Sequence, residues 1–189
     1  CSGLVGSEMC IRDRFEGAVA ALPDQDAVVT AGEGQPTRRR SYAELDVRAN
    51  QVAHVLAGLG VGPGDHVAVH AMNCLEFMEI TMGVFKLRAV PINGNFRYTP
   101  DELRYVFDDA EVAVVFTQTP IRAEAVAVAG RRPVITIGDD YEAAVSAMPP
   151  TPVDVGPRSS DDRYLLYTGG TTGMPKGVIW RHEDLSLIH

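Results

Sequence analysis

Between Tyr167 and Val178 the chain reads YTGGTTGMPKGV. Gly169, Gly170 and Gly173 place no Cβ between an approaching anion and the backbone N–H groups. Thr168, Thr171 and Thr172 add hydroxyl donors, and Lys176 adds a compact positive charge. Three kinds of donor packed this closely are the chemistry of a phosphate-holding loop. A glycine-threonine turn with a solvated lysine would account for a lone glycine pair, but not for this density. Two familiar nucleotide loops do not fit. A Walker A loop needs Gly-Lys-Ser/Thr opening a helix, whereas Pro175 precedes Lys176 and Gly177 follows it. A dinucleotide fingerprint needs G-x-G-x-x-G before a helix, and none is present. The residues after the lysine, KGVIW, carry the β-branched and aromatic types of a strand. The spacing therefore predicts a loop between two strands.

The elements that must position this loop alternate. RYLLYT (163–168) reads as the strand entering it, after a proline-, serine- and aspartate-rich linker at 149–162. Upstream, strands are expected at 26–31, 66–71, 89–93, 112–117 and 133–137. Helices are expected at 15–22, 41–60, 74–87, 99–110, 120–129 and 140–147. The clearest is SYAELDVRANQVAHVLAGLG, where Ser41 and Glu44 form a capping box and Leu45, Ala49, Val52, Ala53 and Leu56 share one face. A second capping box joins Thr99 to Glu102, with Pro100 at the first helical position. VAVVFT (112–117) is nearly continuously apolar, as for a strand covered on both faces. Strand–helix alternation of this kind predicts an α/β domain, a mostly parallel sheet with flanking helices.

Composition narrows the function classes. Of 189 residues, 46% are apolar and 22% charged, the balance of a globular protein. A net charge of −8 speaks against general nucleic-acid binding. The basic run Arg38-Arg39-Arg40 is read as a solvated turn or edge strand. No apolar stretch approaches the ~18 residues of a membrane span, so no integral membrane segment is expected. Cys1, Cys10 and Cys74 have no metal-ligand spacing, and with no leader peptide visible a cytoplasmic location is the expectation.

Tyr167 to Gly177 fits, at every defined position, the phosphate-loop pattern [YF]-T-[SG]-G-[ST]-T-G-x-P-K-G of the adenylate-forming (AMP-binding) superfamily. Gly169 stands where serine is commoner. The segments SYAELDVRANQVAHVLAGLGVGPGDHVAV and FKLRAVPINGNFRYTPDELRYVFDDAEVAVVF also resemble the N-terminal region of acyl-CoA ligases. The resemblance covers Phe15 to Asp184, and GGTTGMPKGVIWRHEDL is similar to bacterial acyl-CoA synthetases for fatty acids or steroid side chains. It implies an incomplete N-terminal domain of the adenylate-forming fold, from an acyl-CoA synthetase (fatty-acid–CoA ligase). It further implies ATP, Mg2+ and coenzyme A as cofactors or co-substrates, with a small-molecule carboxylic acid as partner. Thr168, Gly169, Gly170, Thr171, Thr172, Gly173 and Lys176 would hold the ATP phosphates, and Lys176 would act catalytically on the departing pyrophosphate. The magnesium ligand, the adenine- and ribose-binding motifs and the catalytic lysine of the C-terminal domain would lie beyond residue 189. A non-catalytic nucleotide-binding remnant and a peptide-synthetase adenylation domain are the alternatives.

Several residues are read more plainly. His182 matches a histidine common after the loop strand in that family, and a helix-start or packing role is expected for it. His54, His66 and His70 are expected to be structural or exposed. Asp108 and Asp109 read as a solvated helix end. Asn93, Arg97 and Tyr98 lie where a substrate cleft could be approached, but turn formation by Asn93 and Asn95 and local pairing of Arg97 are simpler. The terminal stretches CSGLVGSEMCIRDR and LSLIH resemble translated sequencing adaptors. Residues 1–14 and 185–189 are accordingly expected to be non-native, with 1–14 packing against nothing, and 15–184 to be the AMP-binding portion.

Overall fold

The computed structural model describes residues 11–32, 35–157, 159–169 and 173–186. Ser41 ends one strand and caps the first long helix. Its hydroxyl accepts from the Glu44 amide at 3.2 Å while the Glu44 carboxylate accepts from the Ser41 amide at 2.9 Å. Helix α2 (Tyr42–Gly58) follows and buries the expected face, Leu45, Ala49, Val52, Ala53 and Leu56. Before it come α1 (Ile11–Ala21), β1 (Asp26–Gly32) and β2 (Gln35–Ser41), the two strands pairing antiparallel.

Strands and helices then alternate: β3 (His66–His70), α3 (Leu75–Lys86), β4 (Val90–Gly94), α4 (Pro100–Asp109) and β5 (Val114–Gln118). A 3-10 turn at Thr119–Ile121 leads to α5 (Arg122–Ala129), β6 (Val134–Ile137) and α6 (Asp139–Ser146). After the linker come β7 (Arg163–Thr168), β8 (Lys176–Arg181) and α7 (His182–Ser186). The main sheet runs β6-β5-β3-β4-β7-β8, parallel throughout except that β8 returns antiparallel beside β7.

Alternation along the strands feeds two cores. Val67, Val69, Val114 and Phe116 face α2, α3 and α6, meeting Val52, Leu56, Ile80, Val84 and Tyr141. Ala68, Ile92, Val115, Leu165 and Tyr167 face α4 and α5, meeting Leu103, Val106, Phe107 and Val128. Both faces of the central strands are covered, which is why their sequence lacks polar alternation. The result is the expected mostly parallel α/β sheet with flanking helices.

Two sequence expectations are corrected and a third is sharpened. The first helix begins at Ile11, not residue 15: Arg12 pairs with Glu16 at 2.7 Å and donates to the Lys86 carbonyl at 3.0 Å. Residues 11–14 therefore pack against α3; residues 1–10 lie outside the described residues, as do 187–189. The arginine run forms an edge strand, one of the two forms expected for it, and its side chains find acidic partners. Arg38 pairs with Glu76 at 2.6 Å, Arg39 with Asp26, and Arg40 with the fully buried Glu79 at 3.1 Å. Asp108 and Asp109 are not merely solvated, since each accepts a tertiary hydrogen bond, from Arg132 and Tyr167.

Candidate phosphate-binding site

The loop leaves the carboxyl end of β7 and re-enters the sheet at once as β8. The strand after Lys176 is thus present, and no helix opens there, which excludes the Walker A geometry. In open α/β sheets the carboxyl ends of parallel strands are where ligands collect, because the helices that follow them leave a crevice there. Thr168 and Lys176 are direct cross-strand partners, so the hydroxyl and the ammonium rise from the same rung of the ladder. The Thr168 hydroxyl makes a long contact to the Lys176 carbonyl, 3.5 Å. Thr168, Gly169, Gly173 and Lys176 are all exposed, and Lys176 makes no ion pair among the described residues.

Gly173 adopts φ +110°, a conformation that L side chains rarely accept, so a glycine is required where the loop turns back. Pro175 is buried beneath the turn and fixes the approach to Lys176. Gly170, Thr171 and Thr172 lie outside the described residues. Of the seven residues expected to hold phosphate, Thr168, Gly169, Gly173 and Lys176 are therefore placed around one loop mouth. Their donors are a hydroxyl, backbone amides and an ammonium, a set suited to phosphate oxygens and not to a divalent cation. Among the described residues no group of three or more His, Cys, Asp or Glu side chains could hold a metal, and no step below is routed through one.

The framework under the loop was not legible beforehand. Tyr167, 6% exposed, donates its hydroxyl to Asp109 Oδ2 at 2.5 Å, and its carbonyl accepts from the Tyr98 hydroxyl at 3.4 Å. Burial, with the neighbouring Asp109 carboxylate, pushes the Tyr167 phenol well above its ordinary value, so it remains a proton donor. Tyr98 thus supports the loop's stem. Asn95 shapes a turn as expected, accepting from the Arg97 amide at 3.0 Å, while Arg97 stacks over Phe96. Position 167 belongs to the motif, but nothing in the sequence announced its partner 58 residues away.

The histidines are structural. His182 begins α7, is 2% exposed and stands edge-on to Phe85 with ring centroids 4.9 Å apart. Burial lowers its pKa and that of His70, with Asp162 and Glu124 respectively opposing the shift. His70 Nδ1 meets the Thr117 hydroxyl at 3.2 Å, His54 Nε2 the Thr151 carbonyl at 2.9 Å, and His66 Nδ1 the Ala110 carbonyl. None of them approaches the loop by these contacts.

A second buried polar group holds the helices behind the sheet. The carboxylate of Glu79, with no exposed surface, accepts from Arg40 Nε at 3.1 Å, Arg48 Nε at 3.0 Å and the Tyr141 hydroxyl at 2.8 Å. Arg48 also forks onto Glu142 at 2.7 and 3.0 Å. The cluster joins β2, α2, α3 and α6, and its polar atoms pair with one another, as burial requires.

Comparison with known proteins follows the same outline. A family model described as "AMP-binding enzyme" matches residues 15–187. A 3-oxocholest-4-en-26-oate–CoA ligase of Rhodococcus rhodochrous is 41% identical over 93% of this chain and 33% of its own length. A medium/long-chain-fatty-acid–CoA/3-oxocholest-4-en-26-oate–CoA ligase of Mycolicibacterium smegmatis is 37% identical over 94% of this chain and 34% of its own. Among solved structures, the inhibitor-bound N-terminal domain of FACL13 from Mycobacterium tuberculosis superposes with a TM-score of 0.81 at 28% identity. It covers 92% of this chain, which in turn covers 44% of that domain. The chain spans about a third of the length of these curated relatives. Among the described residues no helix is long and apolar enough to cross a membrane.

Proposed function

The chain belongs to the AMP-binding enzyme family, and from that premise we propose that it is the phosphate-holding part of an ATP-dependent acyl-CoA synthetase. The single observation that carries this reading is the rung shared by Thr168 and Lys176 at the carboxyl end of the parallel strand β7. A carboxylic acid attacks the α-phosphate of ATP, an acyl-adenylate forms and pyrophosphate leaves. Coenzyme A then displaces AMP to give the thioester. In the first half-reaction Thr168, the amides of Gly169 to Gly173 and Lys176 hold the β- and γ-phosphates. Negative charge accumulates on the departing pyrophosphate, and the Lys176 ammonium offsets it. Fixed donors aimed at developing charge are usually the largest single contribution to catalysis. Magnesium would travel with ATP, held chiefly by its phosphates. The relatives named for steroid and fatty acids make a bulky apolar carboxylic acid the proposed substrate class.

The test uses a full-length enzyme carrying this segment. Labelled pyrophosphate should exchange into ATP only when a fatty or steroid acid is present, and coenzyme A should convert the adenylate to a thioester. ATP binding without exchange for any acid would instead make the protein a nucleotide-binding remnant. Exchange driven by amino acids, with no transfer to coenzyme A, would point to a peptide-synthetase adenylation domain.

A further inference from the structure

We propose that Tyr167 is a positioning residue that fixes both stems of the phosphate loop to helix α4 through Asp109 and Tyr98; this rests on the phosphate-loop reading above. Tyr167 and Gly177 are cross-strand partners. A Cβ built on Gly177 would lie 3.1 Å from the Tyr167 ring carbon Cζ and 3.3 Å from its hydroxyl oxygen. The ring therefore lies against the bare backbone of Gly177, where with Leu165 it would crowd any added side chain. Thr168 follows Tyr167 in the chain and Lys176 precedes Gly177, so the rung that carries the ring adjoins the rung that carries both donors.

Tyr167 is in turn held at both ends of one helix, by its ring hydroxyl at the last residue and by its backbone carbonyl just before the first. Asp109, the last residue of α4, accepts from its hydroxyl at 2.5 Å. Tyr98, just before the Thr99 cap of α4, donates to its carbonyl at 3.4 Å. Helix α4 is itself anchored in the core by Leu103, Val106 and Phe107, all fully buried. The glycine-rich loop has little intrinsic stiffness, and donors stabilise a transition state fully only when they are already in place. The tether from Tyr167 to α4 supplies that placement.

The experiment compares Tyr167→Phe, Asp109→Ala, Asp109→Asn and Tyr167→Phe/Asp109→Ala in the full-length enzyme, with Lys176→Ala alongside. Tyr167→Phe keeps the ring over Gly177 and removes only the tether. The adenylation turnover should fall about three- to tenfold in Tyr167→Phe and in Asp109→Ala, a loosened donor costing less than a deleted one. The KM for ATP should move less than twofold, and thioester formation from preformed acyl-adenylate should be unchanged. Asp109→Asn retains an acceptor and should recover most of the turnover. The double variant should be no slower than either single, because both remove one interaction. Multiplicative losses in the double variant, or equal losses in both half-reactions, would overturn the proposal in favour of general destabilisation. Wild-type turnover in both single variants alongside a slowed Lys176→Ala would overturn the tether and leave the phosphate-loop reading intact. Wild-type adenylation in Lys176→Ala would remove that reading itself.

Discussion

Gly83 sits where α3 crosses α2, and Gly83→Ala sets two effects of opposite sign against each other. In a helix interior alanine is favoured over glycine by about 1 kcal/mol. Here the added Cβ would stand 2.6 Å from Val52 Cγ1, 2.7 Å from Val52 Cβ and 2.9 Å from the Ala49 carbonyl oxygen. Carbon atoms pack comfortably at roughly 3.5–4.0 Å, so the helices must separate by about 1 Å. One obstacle is backbone and another is a β-carbon, so no rotamer change relieves them. Overpacking a well-filled core costs about 1–3 kcal/mol, and this site belongs at the upper end. The expected net loss is about 2 kcal/mol. Urea unfolding followed by circular dichroism and by the fluorescence of Trp180, the single tryptophan, measures it. Adding Val52→Ala removes only the 2.6 Å contact and should not restore stability. Gly58→Ala, where nothing lies within 4 Å of the added carbon, should stay within about 1 kcal/mol of wild type. A Gly83→Ala protein as stable as wild type would show that the crossing is not set by contact at this glycine.

Three further outcomes are expected. Lys176→Ala should slow adenylate formation by about one to two orders of magnitude, the equivalent of one charge-assisted hydrogen bond of about 1.5–3 kcal/mol. Arginine should rescue it only partly, and assaying the half-reactions separately should show the thioester step spared. Glu79→Gln leaves Arg40 and Arg48 without their shared buried charge; breaking such a pair costs about 3–5 kcal/mol. Arg48 keeps Glu142 and Arg40 is partly exposed to screening water, so chemical denaturation should show about 2–3 kcal/mol. His70 and His182 are held neutral by burial, below their ordinary 6.5. The unfolded chain then binds more protons between the folded value and 6.5, so stability is complete above pH 6.5 and falls as the pH drops through it. The slope is at most about 1.4 kcal/mol per pH unit for each histidine. Replacing His182 by phenylalanine should flatten that limb in a pH series of unfolding midpoints. Carboxylates such as Glu102, held low by the Thr99 amide, contribute fully above their ordinary 4.5 and lose that contribution as the pH falls below it.

The amino-acid sequence by itself determined what depends on neighbours within a turn or two. The capping boxes of α2 and α4, the buried stripe of α2 and the doubly covered β5 are written in short-range patterns, because caps and periodicities involve residues three or four apart. So is the strand after Lys176, whose β-branched and aromatic residues favour extended backbone. The loop proposed to hold phosphate is likewise a contiguous run, so its residue types could be read directly. Only the tertiary structure decided what joins distant segments. The strand order puts β7 beside β4, Tyr141 reaches Glu79 across 62 residues, and Tyr167 reaches Asp109 across 58. The edge-strand arginines Arg38 and Arg40 gave no local sign that α3 would bring Glu76 and Glu79 to them. Ile11 to Arg14 lack a helical period of their own, and join α1 where Arg12 meets the end of α3. A buried carboxylate or phenol carries no local signature of its partner, because the partner is chosen by which elements the packed sheet brings together.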